Sequence, residues 1–425
     1  MRDLILSLFI FGLIPYAFSR PYIGLLLWSW IGYMNPHRLS YGFAYSFPFA
    51  ALGAGVTLVA YAFSKEKKQF PLNSVTVVWI ILVIWVTITT ITSQVPGNAW
   101  PEWERTMKIQ LMILMTLLII NDRTKLIHLV WVVAFSIGFF GIKGGFFTIA
   151  TAGGARIWGP PGSFIEGNNE LALALIMIVP LMAFLFTNAS NKWVKRILIT
   201  CMVLCALSIF ASYSRGAFLA ISAMGLFLWI KSNKKFVSGI LIVVVAVVGL
   251  SMMPQEWWDR MDTIETYEED GSAMGRINAW WFAYYLALDH PFVGGGFRAF
   301  SLSLFHKYAP DPDDFHDAHS IYFEVLGEQG FVGLFLFLTM YFLAYWQGRK
   351  SIKLARQNPK VKWAGDLSAM VQVSLVGYAV GGAFLGLAYF DLPFHLMAIL
   401  VLANYIAKKE LAEPTNNNVD LINKS

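Results

Sequence analysis

Apolar runs of about 20 residues recur along almost the whole chain, separated by short clusters of Lys and Arg. A bilayer core requires helices of about that length, and only helices or closed barrels satisfy every backbone polar group inside it. The runs are helical in length, so the chain reads as an all-α polytopic membrane protein. Composition agrees, with 57% hydrophobic and 14% charged residues where an ordinary soluble domain carries about 25% charged. The 16 Trp and 17 Tyr suit a protein with two lipid–water interfaces. Disordered, collagenous and disulfide-built classes are excluded. Cys201 and Cys205, the only cysteines, stand four apart on one apolar helix, where packing is the better reading than a mutual disulfide.

Spans are expected near 43–63, 72–92, 105–120, 125–148, 170–187, 194–212, 214–231, 235–252, 319–347, 367–387 and 391–407. Residues 4–34 are interrupted by Pro15, Arg20 and Pro21 and leave two short pieces. The basic clusters at Lys65–Lys68, Arg123/Lys125, Lys192–Arg196, Lys231–Lys235, Arg349–Lys362 and Lys408/Lys409 all fall on one side if residues 4–34 make a single net crossing. Short cytoplasmic loops hold the excess positive charge. The expectation is therefore about 12 transmembrane helices with both termini cytoplasmic. Met1–Pro21 resembles a signal peptide with Ala17-Phe18-Ser19 as a cleavage site, but its removal would lose the crossing that parity demands. The net charge of +6 then follows from topology and gives no warrant for nucleic-acid binding.

The chain divides into transmembrane helices over 1–252, a large outer loop over 253–318, further transmembrane helices over 319–410 and a polar tail over 411–425 read as disordered and cytoplasmic. Three outer segments are rich in polar residues: 149–169, the turn Ser212–Gly216, and 253–318 with its acidic run Asp259–Asp270. Within the last, Arg276, Trp280, Tyr284 and Ala287 share a stripe that predicts an amphipathic helix lying on the membrane. Arg276 there is either an interfacial anchor whose head snorkels or a site residue. Arg215 lies in a hairpin with almost no loop. A charge held at membrane depth is a functional candidate unless a nearby acidic group pairs with it. His316 and His319 flank the start of the next helix, with Asp317 or His316 near its N-cap. His319 could serve as a general base or as a capping group. Asp311-Pro312-Asp313 formally fits a metal-binding carboxylate pair, and Pro312 makes an irregular solvated loop an equal account of it. No metal and no cofactor is expected.

Five elements occur in order: Arg156-x-x-Gly159 with Asn168-Asn169-Glu170; Ser214-Arg215-Gly216; Arg276 with Trp280; Pro291-x-x-Gly294-x-Gly296-Phe297; and His319-x-x-Tyr322 with Gly327-Glu328-x-Gly330-x-x-Gly333. In this the chain resembles the superfamily of membrane O-antigen ligases and polymerases with their protein O-glycosylation relatives. The first hundred residues, including Arg20-Pro21-Tyr22-Ile23-Gly24 and Asn35-Pro36-His37-Arg38, resemble exosortase-associated O-glycosylation ligases, and the size and layout are similar to bacterial O-antigen ligases. One departure is Ser320, where the family often carries Asn after the histidine.

The resemblance implies a GT-C-like glycosyltransferase of the inner membrane with a periplasmic active site. It would move a glycan from undecaprenyl diphosphate to lipid A-core, with membrane lipids and no nucleic acid as its other partners. An O-antigen polymerase or a protein O-oligosaccharyltransferase would use the same donor, and a lipid-linked sugar transporter is the non-enzymatic alternative. The resemblance assigns His319, Arg215 and Arg276 to catalysis. Arg156, Asn169, Tyr213, Trp280 and His316 join the two arginines as substrate-binding candidates.

Overall fold

The computed structural model describes residues 1–231, 235–251, 253–262 and 271–413. Most of the acidic run beyond Asp262, and the tail beyond Glu413, lie outside the described residues. The described chain is helical and contains no strand.

The helices follow the apolar runs. Chain order begins with α1 (Arg2–Ser19), α2 (Pro21–Met34), the short α3 (Phe43–Ser46), α4 (Phe49–Phe63), α5 (Ser74–Ile91), α6 (Pro96–Ile119) and α7 (Arg123–Ala150). The middle holds α8 (Asn168–Asn188), α9 (Lys192–Phe210), α10 (Arg215–Lys231), α11 (Lys235–Ser251), α12 (Gln255–Asp262), α13 (Gly271–Asp289) and α14 (Leu302–Tyr308). The last three are α15 (Ile321–Gln357), α16 (Lys362–Gly381) and α17 (Asp391–Ala412).

Among the described residues seven helical segments are long and apolar enough to cross a membrane, against the expected count of about 12. Helices α6 and α17 have spanning length, but charged and polar residues such as Glu102, Arg105, Asp391 and His395 dilute their hydropathy. Helix α8 is deeply buried and packs on α16, α9 and α7. Ser374 of α16 donates to the Met177 carbonyl at 2.6 Å. His395 in α17 is fully buried, with Nδ1 2.6 Å from the Tyr33 hydroxyl and Nε2 3.2 Å from Thr116 Oγ1. Inside an apolar bundle such bonds tie α2, α6 and α17 together, because the alternative is an unsatisfied polar group. Both cysteines are free and buried, as packing predicts.

Two ends of the bundle are distinguishable. At one, Lys125 pairs with Glu66 at 3.1 Å, Lys409 donates to the Asn121 carbonyl at 3.3 Å, and Lys360 donates to the Glu410 carbonyl at 2.6 Å. The basic clusters around residues 65, 123, 360 and 408 thus share one end, as the charge bias predicts.

Residues 4–34, expected as two spans or one broken span with a single net crossing, form two helices. Arg20 leaves the helical region (φ −138°), and α1 and α2 pack side by side as an antiparallel hairpin, with Phe9 against Trp30 at 5.6 Å. The hairpin's turn lies at the basic end, where Tyr22 stacks on His128 and Lys125 sits 5.5 Å over the Tyr22 ring. Its open end lies opposite, where Asp3 accepts from the Ala44 backbone N–H at 2.5 Å. The start of α1 therefore lies at the end of the bundle away from Lys65–Lys68 and Lys408/Lys409. The physical reason is that the break at Arg20 reverses the chain instead of kinking it.

Helix α15 is kinked at Gly330 (φ +69°), where a Cβ would lie 2.2 Å from the Phe292 carbonyl oxygen. The glycine turn at 294–296 docks against this kink. Gly295 N–H donates to the Gly327 carbonyl and Gly296 N–H to the Glu328 carbonyl, each at 2.8 Å. Gly330→Ala forces a side chain into the left-handed region and into that backbone, so a loss of about 1–3 kcal/mol or more is expected. Thermal unfolding of the detergent-purified variant checks this; an unchanged midpoint would mean that the kink does not depend on glycine.

Candidate active site

The polar outer segments converge at the end opposite the basic clusters. Tyr213 donates to the Gly153 carbonyl at 2.8 Å, and Asn168 Nδ2 donates to the Ser212 carbonyl at 2.6 Å, joining the 149–169 segment to the Ser212–Gly216 turn. The 309–320 loop is pinned to α13. Asn278 Nδ2 donates to the carbonyls of Asp311 and Asp314 at 2.8 and 3.0 Å, and its Oδ1 accepts from the Asp311 N–H at 3.0 Å. Trp280 Nε1 donates to the Ala318 carbonyl at 2.8 Å, while its ring stacks on Phe323 at 5.0 Å.

This clamp delivers His319 in a left-handed conformation (φ 41°) to the wall of a 450 Å³ cavity. Tyr213 (φ 57°) and Arg298 (φ 58°) are likewise left-handed. Non-glycine residues hold such geometry only where the surroundings over-determine it, typically around functional sites. Burial, and then the nearby Arg276 guanidinium, lowers the His319 pKa below its ordinary 6.5. Both effects favour the neutral imidazole, the form able to accept a proton.

Carboxylates dominate the rest of the cavity: Glu102, Glu166, Glu170, Asp317, Glu324 and Glu328. Arg298 donates from Nη2 and Nε to Glu102 at 2.7 and 3.1 Å, and its backbone N–H donates to Glu328 at 2.7 Å. Arg105 lies 3.9 Å over the Phe164 ring. Carboxylates beside aromatic rings suit a neutral, hydroxyl-rich ligand better than a polyanion.

Positive charge is concentrated next door. A narrow crevice is lined by Asn169, Ser214, Arg215, Gly216, Arg276, Phe384 and Leu385. It adjoins the cavity through the neighbouring pairs Asn169/Glu170 and Leu385/Gly386, and the Arg276 charge acts on both His319 and Glu170. Arg215 begins α10, where Ser214 Oγ caps the Ala217 N–H at 3.1 Å. The first N–H groups of a helix carry partial positive charge and favour anions. Two guanidinium groups there offer fixed, bidentate phosphate recognition.

The expected site residues thus separate. Arg215, Arg276 and Asn169 share the crevice, and His319 lies on the adjoining cavity. Arg156 is in neither; it sits 5.6 Å over the Tyr213 ring and lines a different cavity. Tyr213 is 3% exposed, and its hydroxyl is bonded to the Gly153 carbonyl. Trp280 is a clamp on the His319 loop. His316 pairs with Asp314 at 3.1 Å and packs over Gly275, outside the cavity lining.

The stripe predicted for α13 is also corrected. Tyr284 is exposed, and the buried face runs through Ala279, Phe282, Ala283 and Leu286, because the helix packs on α14 and α15. The N-cap of α15 is Ser320, three residues after Asp317 and four after His316. Asp311 Oδ1 accepts from the Asp313 N–H at 3.1 Å, a bond internal to an irregular loop. No group of three His, Cys, Asp or Glu side chains arranged to hold a metal occurs among the described residues.

Sequence reasoning missed Arg105, Arg298 and Glu102. The available signal was the i,i+3 spacing of Glu102 and Arg105 on one helix face.

Fold and site define a polytopic α-helical membrane protein with a cationic crevice beside a histidine-bearing cavity at one bundle end. Residues 200–338 match the family described as O-Antigen ligase, and residues 1–191 match a family of unknown function, DUF5935. The match over residues 200–338 supports membership of the O-antigen ligase superfamily, which implies glycosyltransferase-like activity on lipid-linked glycan and acceptor substrates in general. No curated protein sequence matches it.

Proposed function

We propose that the protein is an inverting, metal-independent O-antigen ligase, moving a preassembled glycan from undecaprenyl diphosphate to a sugar hydroxyl of lipid A-core at the periplasmic face of the inner membrane. The supporting observation is the position of Arg276, which lines the crevice with Arg215 and also lowers the His319 pKa from the cavity side. One charge therefore touches both halves of the reaction.

His319 takes the proton of the acceptor hydroxyl as that oxygen bonds to the anomeric carbon. The bond from this carbon to the diphosphate oxygen breaks, and the electron pair leaves with the diphosphate. Arg215 and Arg276 hold the departing group, and their bonds strengthen as its charge develops. A diphosphate stabilised in this way needs no general acid. Attack opposite the leaving group inverts the anomeric centre.

The test is incubation of purified protein in EDTA with undecaprenyl diphosphate-linked glycan and, in parallel, lipid A-core or a pilin-like protein. Glycosylated lipid A-core is expected. Product on protein alone, or product only after Mg²⁺ or Mn²⁺ is restored, would overturn the reading.

A further inference from the structure

A second cavity, of 630 Å³, lies between α7 and the 151–167 segment. Its walls are mostly apolar, with Phe140, Phe146, Phe147 and Trp158, and its only charged lining residues are Lys143 and Arg156. Phe146, Phe147 and Trp158 are exposed, so the slot opens on an apolar outer surface. Lys143 stands seven residues before the C-terminal end of α7, a depth of about 10 Å. A lysine stem spans much of that distance and brings the ammonium to headgroup level. An apolar slot ending in two cations matches a lipid that carries phosphate next to its acyl chains.

The 151–167 segment borders both cavities with successive stretches. Arg156, Ile157, Trp158, Gly159 and Pro161 face the slot, whereas Ser163, Phe164, Glu166 and Gly167 line the His319 cavity. A glycolipid seated in the slot has only this segment to cross before its sugars reach the carboxylate-lined cavity. The donor's diphosphate already has the Arg215/Arg276 crevice.

We propose that this slot is the anchoring site for the phosphorylated lipid moiety of the acceptor, so that the enzyme recognises its acceptor as an anionic glycolipid through Lys143 and Arg156. The proposal rests on the ligase reading for its occupant, but its test does not require turnover. Wild-type and Lys143→Glu protein in nanodiscs are titrated with lipid A, with dephosphorylated lipid A, with phosphatidylglycerol and with undecaprenyl diphosphate.

Lys143→Glu is expected to weaken lipid A binding about ten-fold while leaving dephosphorylated lipid A and undecaprenyl diphosphate unaffected. Arg156→Gln should weaken lipid A binding in the same way. In transfer assays Lys143→Glu should raise the KM for lipid A-core without lowering kcat. Equal lipid A binding by variant and wild type would overturn the proposal. So would selective loss of undecaprenyl diphosphate, which would make this a donor site, or equal competition by phosphatidylglycerol, which would make it a general lipid contact. Lys143-dependent binding by a protein that transfers no glycan would defeat the ligase reading and leave the slot standing.

Discussion

His319→Ala is expected to lower glycan transfer by about 100- to 10,000-fold, with thermal stability and donor binding unchanged. The side chain occupies a cavity wall, and the loop that carries it is held by Asn278 and Trp280, so truncation leaves the clamp intact. The pH dependence supplies an independent signature. Burial and Arg276 hold the folded-state pKa of His319 below 6.5. The reactive neutral form is therefore full above that value, and kcat/KM should fall only as pH drops through the lowered pKa. Arg276→Gln removes one cause of the lowering, so the acid limb should move upward, toward the ordinary histidine value. Near-normal transfer by His319→Ala would remove the imidazole from the mechanism, and an unmoved acid limb in Arg276→Gln would uncouple the two residues.

Arg215→Ala should weaken binding of undecaprenyl diphosphate and slow transfer further. Charge-assisted hydrogen bonds contribute about 1.5–3 kcal/mol each, which corresponds to about ten- to 150-fold in affinity. The rate should fall by more than the affinity if the bonds tighten on the leaving group. Arg215→Lys should recover only part of the loss, since an ammonium cannot reproduce the bidentate fork. Equilibrium binding of the diphosphate lipid together with single-turnover transfer separates these effects. Unchanged donor affinity in Arg215→Ala would count against the assignment.

Helix positions were largely legible, because spanning length and apolar composition are written directly in the runs, and the basic clusters marked one end of the bundle. The hairpin of α1 and α2 was not. Pro15, Arg20 and Pro21 read equally as a kink or a reversal, and the packing of Phe9 on Trp30 and of Asp3 beside Ala44 distinguishes them. Within the site, Arg215 and Arg276 stood out as charges set in apolar surroundings. Arg105 and Arg298 did not, since one lies on the charged flank of α6 and the other follows a glycine turn. Only the docking of that turn on the α15 kink brings Arg298 to Glu102 and Glu328. Arg156 and Tyr213 were named from the family resemblance, and the structure places Arg156 on a different cavity, over the Tyr213 ring.

The central claim is spatial, and the most direct measurement is a cryo-electron microscopy map of the protein in nanodiscs loaded with a non-transferable undecaprenyl diphosphate sugar. The two phosphates should lie between the Arg215 and Arg276 guanidinium groups, with the sugar's anomeric carbon turned toward His319. Phosphate density beside Lys143 and Arg156, or among the carboxylates of the His319 cavity, would contradict it.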